Sequence, residues 1–236
     1  MADVEPAVEA GLRAQRRLLE AELAAGERMA GWKVGFGSPS GLALLDIHGP
    51  VIGHLLVSGE VPGGASVPID GWHRPVVEAE IAVWIGADVP PGTSAEQAGD
   101  FVRAVGPAIE LADIDHPPED VERILAGNIY HRRYLLGAPD DAMSLADAAG
   151  LHAVVEHAGE RLEVADPTGL VGDLGTVLAR TARLAPLLGR GLEAGDVVLM
   201  GSIITPRPVT VGESCRYQLG AFPELRVAFG PEPSRR

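Results

Sequence analysis

The sequence predicts a single α+β domain rich in antiparallel strands. Glycine (30) and proline (19) are abundant in the 236 residues while aromatics make up only 4%, a mix that favours many turns and short strands over a helical bundle. Several segments alternate apolar and polar residues with period two, most cleanly VVEAEIAVWI from Val76 to Ile85. No internal repeat, low-complexity tract or linker divides the chain, so residues 1–236 read as one domain, with a helical segment over 1–30 packed on it.

The elements follow in order. From Pro6 to Glu27 the residues Leu12, Leu18, Leu19, Leu23 and Ala24 recur among Arg and Glu, the pattern of an amphipathic helix that stops at Gly31. A glycine-studded strand-and-loop stretch runs from Gly31 to Leu56, and the acidic strand from Val76 to Ile85 comes next. Ser94 opens a helix, with Thr93 and Glu96 as a capping box, that ends at Gly106-Pro107. The strand PAIELADI follows at once. Pro118 near the start and Gly127 past the end bound a short helix. LHAVVEHAGERLEVAD reads as a hairpin turning at Ala158-Gly159. A helix then covers Leu174 to Leu188, and Asp196 to Phe229 returns to strands.

Charge narrows the function. There are 19 Lys+Arg against 33 Asp+Glu, a formal net charge of −14, which disfavours nucleic-acid phosphates and anionic membrane faces as partners. No run of 18 apolar residues is present and the N-terminus lacks a hydrophobic signal core, so a cytoplasmic location is expected. The single cysteine, Cys215, has no partner for an internal disulfide and fits a reducing compartment.

Glu78 and Glu80 carry the strongest chemical signal. Strand side chains alternate, so Val77, Ala79, Ile81, Val83 and Ile85 share one apolar face, and the two carboxylates stand side by side on the other. Adjacent carboxylates repel unless a cation, a shared proton or water offsets them. A solvated outer face would give the same alternation, but the flanking Val76 and Trp84 argue against it. Glu110 lies between Ala108 and Ala112 on another apolar strand, where it faces solvent or lines a cavity. Three carboxylates form an oxygen-only set suited to Mg²⁺ or Mn²⁺. Lys33, between Trp32 and Val34, either binds a substrate carboxylate and moves a proton or snorkels to water.

Other patterns carry less. Gly35-Phe36-Gly37 is followed by Pro39 rather than a helix, so a dinucleotide loop is excluded. The seven histidines lack zinc-site spacing and read as surface or loop residues. Arg132-Arg133, beside Tyr130 and His131, is an anion site or a solvated loop.

Taken together, GWKVGF (31–36), VEAEIAVWIG (77–86), PAIELADI (107–114), Asn128 with Tyr134-Leu135-Leu136-Gly137, and GLEAGDVVLMGS (191–202) resemble the fumarylacetoacetate hydrolase superfamily. The similarity is greatest to its branch of 2-oxopent-4-enoate hydratases and 4-oxalocrotonate decarboxylases. That resemblance implies mixed β-sheets rolled into a barrel-like fold with flanking helices, and a homo-oligomer. It implies that Glu78, Glu80 and Glu110 hold Mg²⁺ or Mn²⁺, which would polarise the carbonyl of a small 2-oxo acid and stabilise its enolate. By position Lys33 resembles the family lysine that contacts substrate; Tyr130 and His131 join it as candidate catalytic residues, and Asn128, Arg132, Ser202 and Thr205 join it as candidate substrate contacts.

The chain departs from the branch at several points. Val51-Ile52-Gly53 stands where an acidic residue usually precedes Phe-Gly, and Asn128-Ile129-Tyr130-His131 where Asn-Ala-Ser-Ser is usual. Asp115 replaces an Arg, and Ile204 replaces a Thr beside Thr205. The metal set is kept and the pocket re-lined. The expected activity is a metal-dependent lyase, with hydration ahead of decarboxylation. Alternatives are an acylpyruvate C–C hydrolase, for which His48 and His54 have only Glu60 nearby in sequence, an isomerase or cyclase, and an inactive scaffold subunit.

Overall fold

The computed structural model describes residues 4–231. Helix α1 (Pro6–Ala24) turns into β1 (Met29–Gly35), α2 (Pro39–Leu45) and β2 (Val51–Leu56). Next come β3 (Ser66–Pro68), β4 (Pro75–Ile85), α3 (Ala95–Ala98), β5 (Val102–Asp113), α4 (Val121–Ala126) and β6 (His131–Leu136). The remainder is α5 (Leu145–Ala149), β7 (Ala153–His157), β8 (Glu160–Val164), α6 (Thr168–Val171), α7 (Leu174–Leu184), β9 (Val197–Ser202), β10 (Arg207–Pro208), β11 (Ser214–Leu219) and β12 (Leu225–Gly230).

Among the described residues the strands form two mixed sheets. One is seven-stranded, in the order β2-β1-β9-β4-β5-β6 with β10 beside β4, and the other runs β3-β12-β11-β7-β8. The first sheet curls until its edges meet. Glu60, just past β2, bridges to Tyr134 of β6, the Val61 N–H donates to the Tyr134 carbonyl at 2.8 Å, and the Tyr134 hydroxyl donates to Leu56 O at 3.2 Å. Leu55, Ala82, Ala108, Tyr134, Val197 and Leu199 therefore pack together across five strands as a plug inside the curl. Outside it, the face bearing Val77, Ala79, Ile81 and Val83 is buried in the main core, where β11 crosses and the Tyr217 hydroxyl donates to Glu80 O at 3.1 Å. The expected barrel-like α+β fold with flanking helices is what forms.

Close approach sets several residue choices. A Cβ on Gly31 would sit 1.9 Å from Val197 O, so only glycine lets β1 lie against β9 there. The first helix thus ends earlier than its composition suggests: α1 stops at Ala24, Gly26 makes the turn at φ +99°, and Gly31 belongs to a strand. Its buried stripe is Val8, Gly11, Leu12, Gln15 and Leu19, while Leu18 and Leu23 are exposed. That stripe packs on α4 and β2.

Two helices differ from expectation. Ser94 does cap a helix, but its box partner is Gln97 rather than Glu96, and α3 is one turn long followed by a 3₁₀ turn. Gly106 and Pro107 do not end a helix but lie within β5. On the β6 side the ladder ends at Ala108–Leu136, where Pro107 needs to offer only its carbonyl, to Gly137 N at 2.8 Å. Helix α2, absent from the sequence reading, is capped by the Ser38 hydroxyl on Gly41 N at 3.1 Å and ends on Asp46 in the left-handed region. The hairpin turns at Ala158-Gly159, both at positive φ, as its sequence requires. The single cysteine, Cys215, is buried, and burial pushes its thiol up to about 12. No described helix is long and apolar enough to cross a membrane.

Candidate active site

The antiparallel register of β4 and β5 sets Glu78 opposite Glu110 and Glu80 opposite Ala108. All three carboxylates project into the curl, and Ala108 and Ala112 leave them room. Each offers an oxygen within 4.8 Å of the others. Lys33 reaches the same point from β1, its Nζ 3.0 Å from Glu110 Oε1 and 3.4 Å from Ile129 O. From β6, His131 Nδ1 lies 2.8 Å from the same Glu110 oxygen. The Gly201 N–H of β9 donates to Glu80 Oε2 at 2.8 Å.

These contacts split the carboxylates electrically. Burial alone would raise Glu110, but the Lys33 ammonium and the His131 hydrogen bond outweigh it and hold its carboxyl below the usual range. Glu78 is pushed up to about 7 by burial and then by the Glu110 charge. Glu80 is likewise raised well above its ordinary value, by burial, then Glu110 and Glu78. Burial would depress Lys33, yet the three carboxylates more than reverse it and keep the ammonium charged. Burial holds His131 below its ordinary value despite Glu110.

The donor set fits a divalent cation. Glu80 Oε1 and Glu110 Oε2 are buried without a hydrogen-bond partner, a costly arrangement for acceptors with nothing to accept. Three carboxylates set against one ammonium leave two negative charges, which one dication balances.

Above this cluster lies a cavity of about 510 Å³, walled by β1, α2, β9 and the segments 112–118, 129–130 and 170–171. Lys33, Glu78, Ser38, Ser40, Ser202 and Thr205 are among its polar lining residues, and Phe36, Ile129 and Ile204 among its apolar ones. A larger open hollow of about 920 Å³ lies at the opposite mouth of the curl, past the apolar plug, beside Trp84, Tyr134 and Arg190. Among the described residues no carboxylate cluster of the kind formed by Glu78, Glu80 and Glu110 converges there, which makes the smaller cavity the candidate site.

The expected site residues separate accordingly. Glu78, Glu80, Glu110 and Lys33 converge. Ser202 and Thr205 line the cavity, the Ser202 hydroxyl donating to Ile204 O at 2.7 Å. Tyr130 lines it too, but its hydroxyl donates to His116 O at 3.1 Å, and burial followed by the Asp115 charge pushes the phenol up to about 12. His131 stands behind Glu110 rather than on the cavity wall. Arg132 points away, to Asp115 at 3.2 Å and Asp113 at 3.6 Å.

Asn128 is spent on the scaffold. Its Oδ1 accepts from His54 N and Gln15 Nε2, both at 2.9 Å, and its Nδ2 donates to His54 O at 3.0 Å. The clamp matters because Asn128, Ile129 and Tyr130 all have positive φ, between 52° and 61°. Three left-handed residues in a row cost roughly 1–2 kcal/mol each, most unusually for β-branched Ile129. The turn brings Ile129 O to Lys33, the Tyr130 ring to the cavity and His131 to Glu110.

The histidines are less superficial than their spacing suggests. His54 and His157 are buried, and His131 nearly so. His54 and His48 do have glutamate partners, Glu22 at 2.8 Å and Glu5 at 3.3 Å, both on or beside α1 and remote in sequence. In the β1–β2 register His54 pairs with Trp32, on the face opposite Lys33, so neither histidine reaches the cavity. Sequence reasoning missed Gln15, whose only signal is an amide within a buried helical stripe, and Gly201, whose backbone N–H serves Glu80.

Residues 55–229 match the family model described as fumarylacetoacetate (FAA) hydrolase C-terminal. A 4-oxalocrotonate decarboxylase of Pseudomonas putida is 29% identical over 201 residues, 82% of this chain and 75% of the relative. A 2-hydroxyhexa-2,4-dienoate hydratase of Comamonas testosteroni is 26% identical over 214 residues, 89% of this chain and 81% of the relative. Among solved structures, the 4-oxalocrotonate decarboxylase of Pseudomonas putida G7 complexed with magnesium and adipate superposes with a TM-score of 0.83 at 25% identity, covering 91% of this chain and 83% of that one.

Proposed function

Since this chain belongs to the fumarylacetoacetate hydrolase family, we propose that it is a divalent-cation-dependent lyase acting on a small 2-oxo acid or its enol, with hydration ahead of decarboxylation. The observation that carries this is the convergence of Glu78, Glu80 and Glu110, with two buried oxygens unpartnered, beside a cavity. The three glutamates would hold Mg²⁺ or Mn²⁺, both suited to all-oxygen sets that leave positions for a ligand. Once bound, such a cation supplies Lewis-acid polarisation to an adjacent 2-oxo group.

The protein's own groups handle orientation and protons. Glu110 Oε1 takes both Lys33 and His131, which leaves Oε2 without a protein partner. Lys33 holds a proton on Nζ beside the carboxylates, where it can meet a substrate oxygen and transfer or retain that proton. Tyr130 contributes a wall rather than an acid, because its hydroxyl is committed to His116 O. The relatives named decarboxylase and hydratase support both lyase chemistries.

The test is cation content and thermal shift with Mg²⁺ or Mn²⁺, together with turnover of a 2-hydroxydienoate, in the wild type and Glu80→Ala. A cation-dependent rise in melting temperature that Glu80→Ala abolishes is expected. Unchanged cation binding in the variant would overturn the reading.

A further inference from the structure

Resting on that reading, we infer that the cavity takes a monocarboxylic 2-oxo acid whose distal end is an apolar chain, and that it discriminates against a second, distal carboxylate. Beside the hydroxyls of Ser38, Ser40, Ser202 and Thr205, most of the cavity lining is apolar, including Phe36, Leu44, Ile114, Ile129, Leu170 and Ile204. A distal carboxylate packed among them would give up part of its hydration and find no cation in return. Lys33 is the sole Lys or Arg among the described lining residues, and its ammonium already lies 3.0 Å from Glu110. Nearby arginines are turned elsewhere. Arg132 is paired with Asp113 and Asp115, and Arg74 and Arg123, whose charges are felt at the Tyr130 phenol, do not line the cavity.

Ile129 makes the apolar wall a built feature. It holds a left-handed backbone that β-branched residues rarely adopt, at φ +52°. Its side chain lies so close over Gly35 that a Cβ there would be 2.9 Å from Ile129 Cγ2 and 3.5 Å from Lys33 Nζ. The strained turn therefore sets an aliphatic surface next to the one cation of the site. Burying an unpaired charge against such a surface is strongly unfavourable, whereas each buried methylene improves affinity about fourfold.

Calorimetric titration of the full chain in saturating Mg²⁺ tests this, with oxalate, pyruvate, 2-oxohexanoate and 2-oxoadipate as probes. Oxalate reports the head-group site alone. Affinity is expected to rise about fourfold per added methylene from pyruvate to 2-oxohexanoate, and 2-oxoadipate, of equal length, is expected to bind at least about tenfold more weakly than 2-oxohexanoate. Leu44→Arg, at a position 54% exposed and so tolerant of a charge, should shrink that difference. If oxalate binds but 2-oxoadipate matches or exceeds 2-oxohexanoate, or chain length has no effect, the inference fails and the proposed function stands. If oxalate does not bind at all, the head-group reading fails and takes this inference with it.

Discussion

The ammonium of Lys33 lies 3.0 Å from Oε1 of Glu110 with both side chains almost wholly closed to solvent. This pair determines which carboxylate of the three stays ionised before any cation arrives. Removing one member of a buried pair strands the other charge, at roughly 3–5 kcal/mol. Lys33→Met should therefore destabilise the metal-free protein by about 3 kcal/mol at pH 8. The loss should be smaller at pH 6, where Glu110 can take up a proton instead. Urea unfolding in a chelator at the two pH values checks this, and wild-type stability at pH 8 would contradict it.

The other two carboxylates predict an unusual pH response. Burial raises Glu78 to about 7 and Glu80 well above its ordinary value. A carboxyl whose folded value is raised binds more protons folded than unfolded, so its contribution is full at low pH and is lost as pH rises through the folded value. His131 has the opposite sign, since burial lowers it and its contribution is gained as pH rises through the imidazole range. Through the neutral range the two carboxyls outweigh the one imidazole. The melting temperature of the metal-free protein should fall as pH rises from about 6 to 8, through the folded value of Glu78, and added Mg²⁺ or Mn²⁺ should remove the fall. A flat metal-free curve would contradict the raised values.

The left-handed turn at 128–130 depends on Asn128. Asn128→Ala deletes the partners of His54 N, His54 O and Gln15 Nε2, two of them backbone groups of a buried strand. A buried group left unpaired costs about 1–3 kcal/mol, so a loss of roughly 3 kcal/mol is expected by denaturant titration. Substrate turnover should fall with it, because Ile129 O, Tyr130 and His131 all take their positions from this turn. Gly53→Ala should disturb Asn128 and Lys33 together, with a loss of stability in the same denaturant titration. Its Cβ would sit 2.5 Å from Asn128 Oδ1 and 3.0 Å from Lys33 Cδ.

What the sequence made legible follows from how local each feature is. Glu78 and Glu80 could be read because strand alternation fixes their shared face whatever lies around them, and Glu110 because alanines on both sides mark a face with room. Ile129 and Tyr130 could not. Local preference opposes a left-handed isoleucine, and only the clamp from Gln15 and His54, 113 and 74 residues away, imposes it. The same remoteness hid Glu22 from His54. Helix α2 escaped because seven residues with a glycine in the first turn carry no periodic stripe, and its cap and left-handed end hold it in place. Arg132 misled for the converse reason. A basic residue beside the site in sequence is one strand position away in space, turned to Asp113 and Asp115.

Glu80 gives the sharpest separation between a cation site and a merely buried acidic cluster. Its Oε2 accepts the Gly201 N–H, its Oε1 has no partner, and burial with two neighbouring glutamates drives its carboxyl far up. Glu80→Gln keeps the shape and the acceptor for Gly201 while removing a charge that the metal-free protein tolerates poorly. The advantage of the metal-free variant should therefore be smallest at low pH, where the raised wild-type carboxyl is increasingly protonated. At pH 8.5 the metal-free variant should be more stable than the wild type. Its response to Mg²⁺ should be the reverse, because a neutral amide is a weaker ligand than a carboxylate: the thermal shift seen in the wild type should shrink or vanish. Melting curves of both proteins, with chelator and with Mg²⁺, provide all the comparisons. A Glu80→Gln variant that loses metal-free stability at pH 8.5 yet keeps the full Mg²⁺ shift would show that this carboxylate serves packing and not a cation.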